Sequence, residues 1–69
     1  MKKSIEKISN DAISQLVDIG QLIRQHRKSF KITANAAAQT AGISRVTLYR
    51  IEKGEPTVSM GAYLNVISA

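Results

Sequence analysis

Between Ala41 and Gly54 the chain reads AGISRVTLYRIEKG, and five of its side chains have the chemistry of a recognition surface: Arg45, Val46, Tyr49, Arg50 and Lys53. An arginine can donate paired hydrogen bonds to guanine O6 and N7, and an apolar side chain such as Val46 can meet a thymine methyl group. Lysine, tyrosine, serine and threonine can reach phosphate oxygens, as can the exposed N–H groups at a helix start. This chemistry needs the five side chains on one surface. On a helix, at about 100° per residue, they span an arc of roughly 140°, with Leu48 and Ile51 on the opposite, buried side. Ser44 precedes the run and Thr47 lies within it, so both can serve a phosphate backbone.

The charge of the whole chain agrees with such a surface. The net charge is +5. Before Arg24, Lys2, Lys3 and Lys7 balance Glu6, Asp11 and Asp18. From Arg24 to Lys53 come Arg24, Arg27, Lys28, Lys31, Arg45, Arg50 and Lys53 against Glu52 alone, and Glu55 is the only charge beyond. A positive field confined to one stretch attracts polyanions, of which nucleic acid is the commonest. Charge alone does not separate this from a basic face that merely faces solvent.

Other chemistries find little support. There is no cysteine, and His26 is the single histidine, without an acidic cluster around it. No disulfide, metal site or cofactor is expected, and His26 reads as a half-buried helix residue. The chain has no nucleophile–base pairing, carboxylate pair or phosphate-cradling glycine loop, so it does not read as an enzyme. Met1-Lys2-Lys3 resembles the start of a signal peptide, but Glu6, Asn10 and Asp11 interrupt any apolar run. With no membrane span in the sequence, a cytoplasmic, nucleoid-associated protein is expected.

Four helices must position the basic face. Ser9-Asn10-Asp11 is a helix start, and a helical period runs from there to about Lys28. Ala12, Leu16, Ile19, Ile23 and Phe30 form its expected inward stripe, with Ile13, Val17 and Gly20 on a second, narrower one. Thr33 caps a short helix of small residues, Ala34 to Ala41, which ends at Gly42. Ser44 caps the third helix, closed by Gly54. Ser59 caps the fourth, with Met60, Leu64 and Ile67 as its expected apolar stripe. The reading is therefore all-α, a compact domain over residues 11–69 after a tail of residues 1–10. Two short helices joined by a glycine-containing turn, residues 34–53, outline a helix-turn-helix.

Taken together, IGQLIRQHRKS (19–29), TANAAAQTAGISRVTLYRIEKG (33–54) and VSMGAYLNVISA (58–69) resemble the Cro/phage-repressor-type, or XRE-like, helix-turn-helix family. The resemblance covers most of the chain and rests on Ala38, Gly42, Ile43, Leu48, Ile51, Glu52 and Gly54 in register, with Arg27 upstream. It implies a repressor-type domain of four to five helices. Ala38, Ile43, Leu48 and Ile51 would fix the angle between the two short helices. By the same resemblance Arg45, Val46 and Arg50 fall at base-reading positions, and Ser44, Thr47, Tyr49, Lys53 and the cap Thr33 at or near phosphate-contacting ones. Arg27 and Glu52 match an ion pair that links the first helix to the recognition helix. Two positions depart from the pattern: Ala34 stands where many relatives place a DNA-contacting glutamine, and His26 where an apolar residue is commoner. The family's usual fifth helix, often part of its dimer, would lie beyond Ala69.

The resemblance implies a sequence-specific DNA-binding regulator, a repressor, acting as a homodimer on a palindromic double-stranded operator. The segment GEPTVSMGAYLNVISA also resembles HipB-like antitoxins, which bind both an operator and a toxin protein. A protein-interaction module without specific DNA binding is the third reading. For the dimer contact the sequence offers the end of the fourth helix, around Tyr63, Val66 and Ala69, or the pair Ile13 and Val17. The former is favoured because the family's dimer contacts lie toward that end.

Overall fold

In the computed structural model, which describes residues 8–69, four helices follow one another: α1 (Asn10–Ser29), α2 (Ala34–Ala41), α3 (Arg45–Glu52) and α4 (Met60–Ser68). No strand occurs among the described residues. The sequence reading of Met1-Lys2-Lys3 and of the rest of residues 1–7 lies outside them.

Each helix begins at the cap its sequence announces. The hydroxyls of Ser9, Thr33, Ser44 and Ser59 accept a hydrogen bond from the backbone N–H three residues on, at 3.0–3.1 Å. Each of these residues has extended backbone, as a cap requires. The first three helices also share one kind of ending. Ile32 N–H donates to Arg27 O and Lys31 N–H to Lys28 O. Ile43 and Gly42 repeat the pattern on Ala38 and Gln39, and Glu55 and Gly54 repeat it on Arg50 and Ile51. This paired closure demands a left-handed residue. Gly42 and Gly54 supply it with φ of 73° and 76°; after α1 the residue is Lys31, with φ of 58°. A side chain in that conformation costs about 1–2 kcal/mol relative to glycine.

The core is small, as expected of so short a chain. It centres on Leu48 and Ile51 of α3, both fully buried, with Ala38 and Ala41 of α2 and Tyr63 of α4 around them. α3 packs on α1 and α2, and α2 packs also on α4. The alanines of α2 let its backbone approach α3 closely, which is the use of a helix made of small residues.

Two expected stripes are turned. On α1 the inward line is Leu16, Gly20, Ile23 and Arg27, with Ala12 and Val17 beside it. Ile19 and Phe30 are exposed instead. Gly20 sets this rotation: a Cβ there would lie 2.5 Å from Ile51 O and 2.7 Å from Glu52 O. α1 can therefore cross the end of α3 backbone to backbone only along the glycine. Gly54 does the same from the other side, because a Cβ on it would meet Val17 Cα at 2.5 Å. Phe30 lies past the helix end and stacks at a tilt on His26, with ring centroids 4.8 Å apart. His26, expected half-buried, is exposed.

On α4 the inward residues are Ala62, Tyr63 and Val66, whereas Met60, Leu64 and Ile67 face outward. Tyr63 fixes this helix. Its ring is buried, and its hydroxyl donates to Glu55 O at 2.8 Å, which gives the phenol a partner inside. Burial, and to a smaller extent the nearby Glu55 charge, raises the Tyr63 pKa above its ordinary value. Both candidate dimer surfaces lose residues accordingly. Tyr63 is in the core and Val66 is half-buried, while Val17 lies against Gly54. Ile13 and Ala69 stay exposed, and on α4 Met60, Leu64 and Ile67 also face outward, beside an open apolar groove of about 410 Å³ lined by Leu22, Ile23, Ile32, Ala37, Val66 and Ile67, among others.

Candidate nucleic-acid interface

The side of α3 opposite Leu48 and Ile51 is open. Arg45, Val46, Tyr49, Arg50 and Lys53 are all exposed, with Val46 and Tyr49 at 57% and 60% of their full surface. Apolar and aromatic groups left that open, on a helix whose other side is fully buried, form a surface without an intramolecular partner. Among the described residues the only ion pairs are those of Glu52 with Arg24 and Arg27. Arg45 and Arg50 thus keep their donors free. Lys53, the C-cap residue of α3, leans back over Tyr49, with Nζ 5.2 Å from the ring centroid and 3.4 Å from the phenol oxygen. An exposed cation–aromatic contact of this kind is weak, about 0.5–1 kcal/mol, and leaves the ammonium available.

The hydroxyl groups divide into two kinds. Ser44 Oγ accepts from Thr47 N–H at 3.0 Å and donates to Thr47 Oγ1 at 2.9 Å, so the serine's one proton is committed to the helix start. Thr47, half-buried, retains its own hydroxyl proton for an acceptor outside. Thr33 is exposed and also retains its proton, since its oxygen serves only as acceptor for Ala36 N–H at 3.1 Å. The structure thus brings Ser44, Thr47, Arg45, Val46, Tyr49, Arg50 and Lys53 together on α3 or at its ends, with Thr33 apart at the start of α2.

One guanidinium holds this helix to the rest of the domain. Arg27 Nε donates to Glu52 Oε2 at 2.7 Å and Nη2 donates to Oε1 at 3.0 Å. Nη1 donates to Ile32 O at 3.0 Å. The Arg27 and Glu52 side chains are only 15% and 7% exposed, so this is a largely desolvated, two-pronged pair. The hydrogen bond to Glu52 raises the Arg27 pKa further, against the opposing effect of burial. The resemblance anticipates this pair. The same guanidinium also ties the α1–α2 turn to the C-terminal end of α3, and sequence reasoning missed that link. It also missed Arg24, whose Nε lies 3.8 Å from Glu52 Oε1 while the side chain stays more than half exposed. Gly20 and Gly54 were legible as glycines but not as the crossing point of α1 and α3. A close approach of two backbones leaves no mark on hydrophobic periodicity.

Two short helices at a fixed mutual angle, joined by a left-handed glycine and presenting the second helix to solvent, define a helix-turn-helix protein. The chain belongs to the family described as "Helix-turn-helix domain", whose model matches residues 18–69. No curated protein and no solved structure gives a match. Membership of this family points to a DNA-binding regulator. No helix among the described residues is long and apolar enough to cross a membrane.

Proposed function

We propose that this protein is a sequence-specific transcriptional repressor of the XRE-like kind, which lays α3 in the major groove of double-stranded DNA. The observation that carries the reading is the open arc of α3: two arginines free of any carboxylate among the described residues, with an exposed valine between them. Arg45 and Arg50 donate to base edges and Val46 meets a thymine methyl. Thr47, Tyr49, Lys53 and Thr33 hold the phosphates, and Ser44 contributes the capped helix start rather than a contact of its own. The protein works in the cytoplasm, on the nucleoid.

One α3 contacts only a few base pairs, so we propose a homodimer on a palindromic operator, with its two recognition helices about 34 Å apart. The outward face of α4 with Met60, Leu64 and Ile67, rather than Tyr63 and Val66, is the surface we assign to the contact. The open groove beside it favours a second reading, an antitoxin of the HipB-like kind in which a toxin protein would cover that face. Co-purification of an enzyme from the native host would select that reading over the homodimer. Selection of bound sequences from random duplex DNA tests the main proposal. The expected product is a palindrome with half-sites one helical turn apart; enrichment of no sequence would remove the base-reading role.

A further inference from the structure

The turn after α1 places a lysine where the fold calls for a glycine. Three helices close with the same pair of hydrogen bonds, and two of them use Gly42 and Gly54 as the left-handed residue. Lys31, with φ of 58°, is the one described non-glycine residue with positive φ. The backbone there needs the conformation and gains nothing from the side chain, which is exposed. A strained residue kept at a position that glycine would satisfy is a mark of function.

The surroundings of Lys31 indicate which function. The Arg27 guanidinium bridges Glu52 and the carbonyl of Ile32, so it ties the α1–α2 turn to the C-terminal end of α3. Arg24 and Lys28 are one helical turn apart on α1, and Lys31 follows them three residues later. All three are exposed. Glu52 is the only described carboxylate that pairs with any of these cations, through Arg24 at 3.8 Å, and Arg27 already occupies both of its oxygens. Arg24, Lys28 and Lys31 are thus exposed cations on the helix and turn that Arg27 ties to the C-terminal end of the recognition helix.

We propose that Arg24, Lys28 and Lys31 form a second line of phosphate contacts. It grips the DNA backbone beside the groove that α3 occupies, and Lys31 is held in its left-handed conformation for its charge. This rests on α3 being the groove-reading helix. The line adds affinity without adding sequence preference, because phosphate contacts carry no base information.

Lys31→Gly and Lys31→Gln separate charge from strain. Binding of each is measured against salt, on the selected operator and on a scrambled duplex of equal length. Lys31→Gly is expected to melt higher than wild type, so any loss of binding is not a loss of folding. Both variants should bind both duplexes about fivefold to tenfold more weakly per protomer near 0.1 M salt, with the slope of log K against log salt reduced by about 0.9 for each protomer bound and about 1.8 for the dimer. The double variant Lys28→Gln/Lys31→Gln should lose about twice that slope. Unchanged affinity and slope in all three, with a wild type that prefers its operator, would overturn the second line and leave the reading of α3 standing. Reduced slopes in a protein with no preference for any sequence would support the line and overturn that reading instead.

Discussion

Removing Glu52 should be among the most damaging single changes in this domain. Its carboxylate is 7% exposed and receives both the Nε–H and Nη2–H of Arg27, which is itself 15% exposed. Breaking a buried pair from one side costs about 3–5 kcal/mol, because the other charge stays in place without its partner. In Glu52→Ala the stranded Arg27 keeps its hydrogen bond to Ile32 O and a little contact with water, which points to the lower end, about 3 kcal/mol. A domain of this size shifts in Tm by about 4–8 °C per kcal/mol, so melting should fall by about 12–24 °C. Total stability expected for 69 residues is only about 3–10 kcal/mol, so at the low end of that range about half of the variant population would be unfolded at room temperature. Arg24→Ala should do far less, since that side chain is 55% exposed and 3.8 Å away without a hydrogen bond. Replacing the pair together, as Arg27→Met/Glu52→Leu, should recover most of the loss, because apolar residues of similar size remove both charges at once. Urea or thermal melts of these three variants, with Glu55→Ala as control, make the comparison. Equal Tm for Glu52→Ala and Glu55→Ala would refute the role of the pair.

Gly20→Ala should destabilise by about 1–3 kcal/mol or more, since its new methyl would lie inside the backbone of Ile51 and Glu52. Gly42→Ala should cost about 1–2 kcal/mol through its positive φ alone, because nothing lies within 4 Å of the added atom. Melts that rank Gly42→Ala as the worse of the two would contradict the close crossing of α1 over α3. Gly61→Ala, in the first turn of α4 with only Ser59 Oγ at 3.9 Å, should stabilise by about 0.5–1 kcal/mol. Tyr63→Phe should lose about 0.5–1.5 kcal/mol at neutral pH, the worth of the bond to Glu55 O. The raised Tyr63 pKa means the folded state holds the phenol proton more tightly than the unfolded state. Its stabilising contribution is then full below the ordinary value of 10.0 and is lost as pH rises through the folded value. Unfolding of wild type above that pH should steepen relative to Tyr63→Phe, and parallel profiles would show that the phenol is already open to water.

Much of this architecture can be read from residue types, because capping is local. Ser9, Thr33, Ser44 and Ser59 start helices for reasons contained within three residues, and Gly42 and Gly54 end them likewise. The facing of α3 was legible too, since Leu48 and Ile51 are its only large aliphatic residues apart from Val46, and they share one side. Facing failed on α1 and α4, where apolar residues are spread around the helix and periodicity admits several rotations. Which rotation forms depends on contacts distant in sequence: the crossing at Gly20 and the hydrogen bond of Tyr63 to Glu55. Ranking residues by hydrophobicity favoured Ile19 over Gly20 and Leu64 over Tyr63, and close approach and hydrogen bonding decided otherwise. Lys31 escaped notice because a left-handed lysine has no signature in its neighbours.

The reading of bases by α3 is tested most directly by measuring how Arg50→Ala discriminates between the selected operator and each of its single-base-pair variants. The expected result is a loss of about 1–3 kcal/mol on the intact operator and relaxed preference at one base pair in each half-site, with discrimination elsewhere retained. Lys53→Ala, as a phosphate contact, should weaken all duplexes alike and lower the salt slope by about one for each protomer bound. If Arg50→Ala instead weakens every duplex by the same factor and relaxes no position, α3 grips the backbone without reading it, and the account of the recognition helix is wrong.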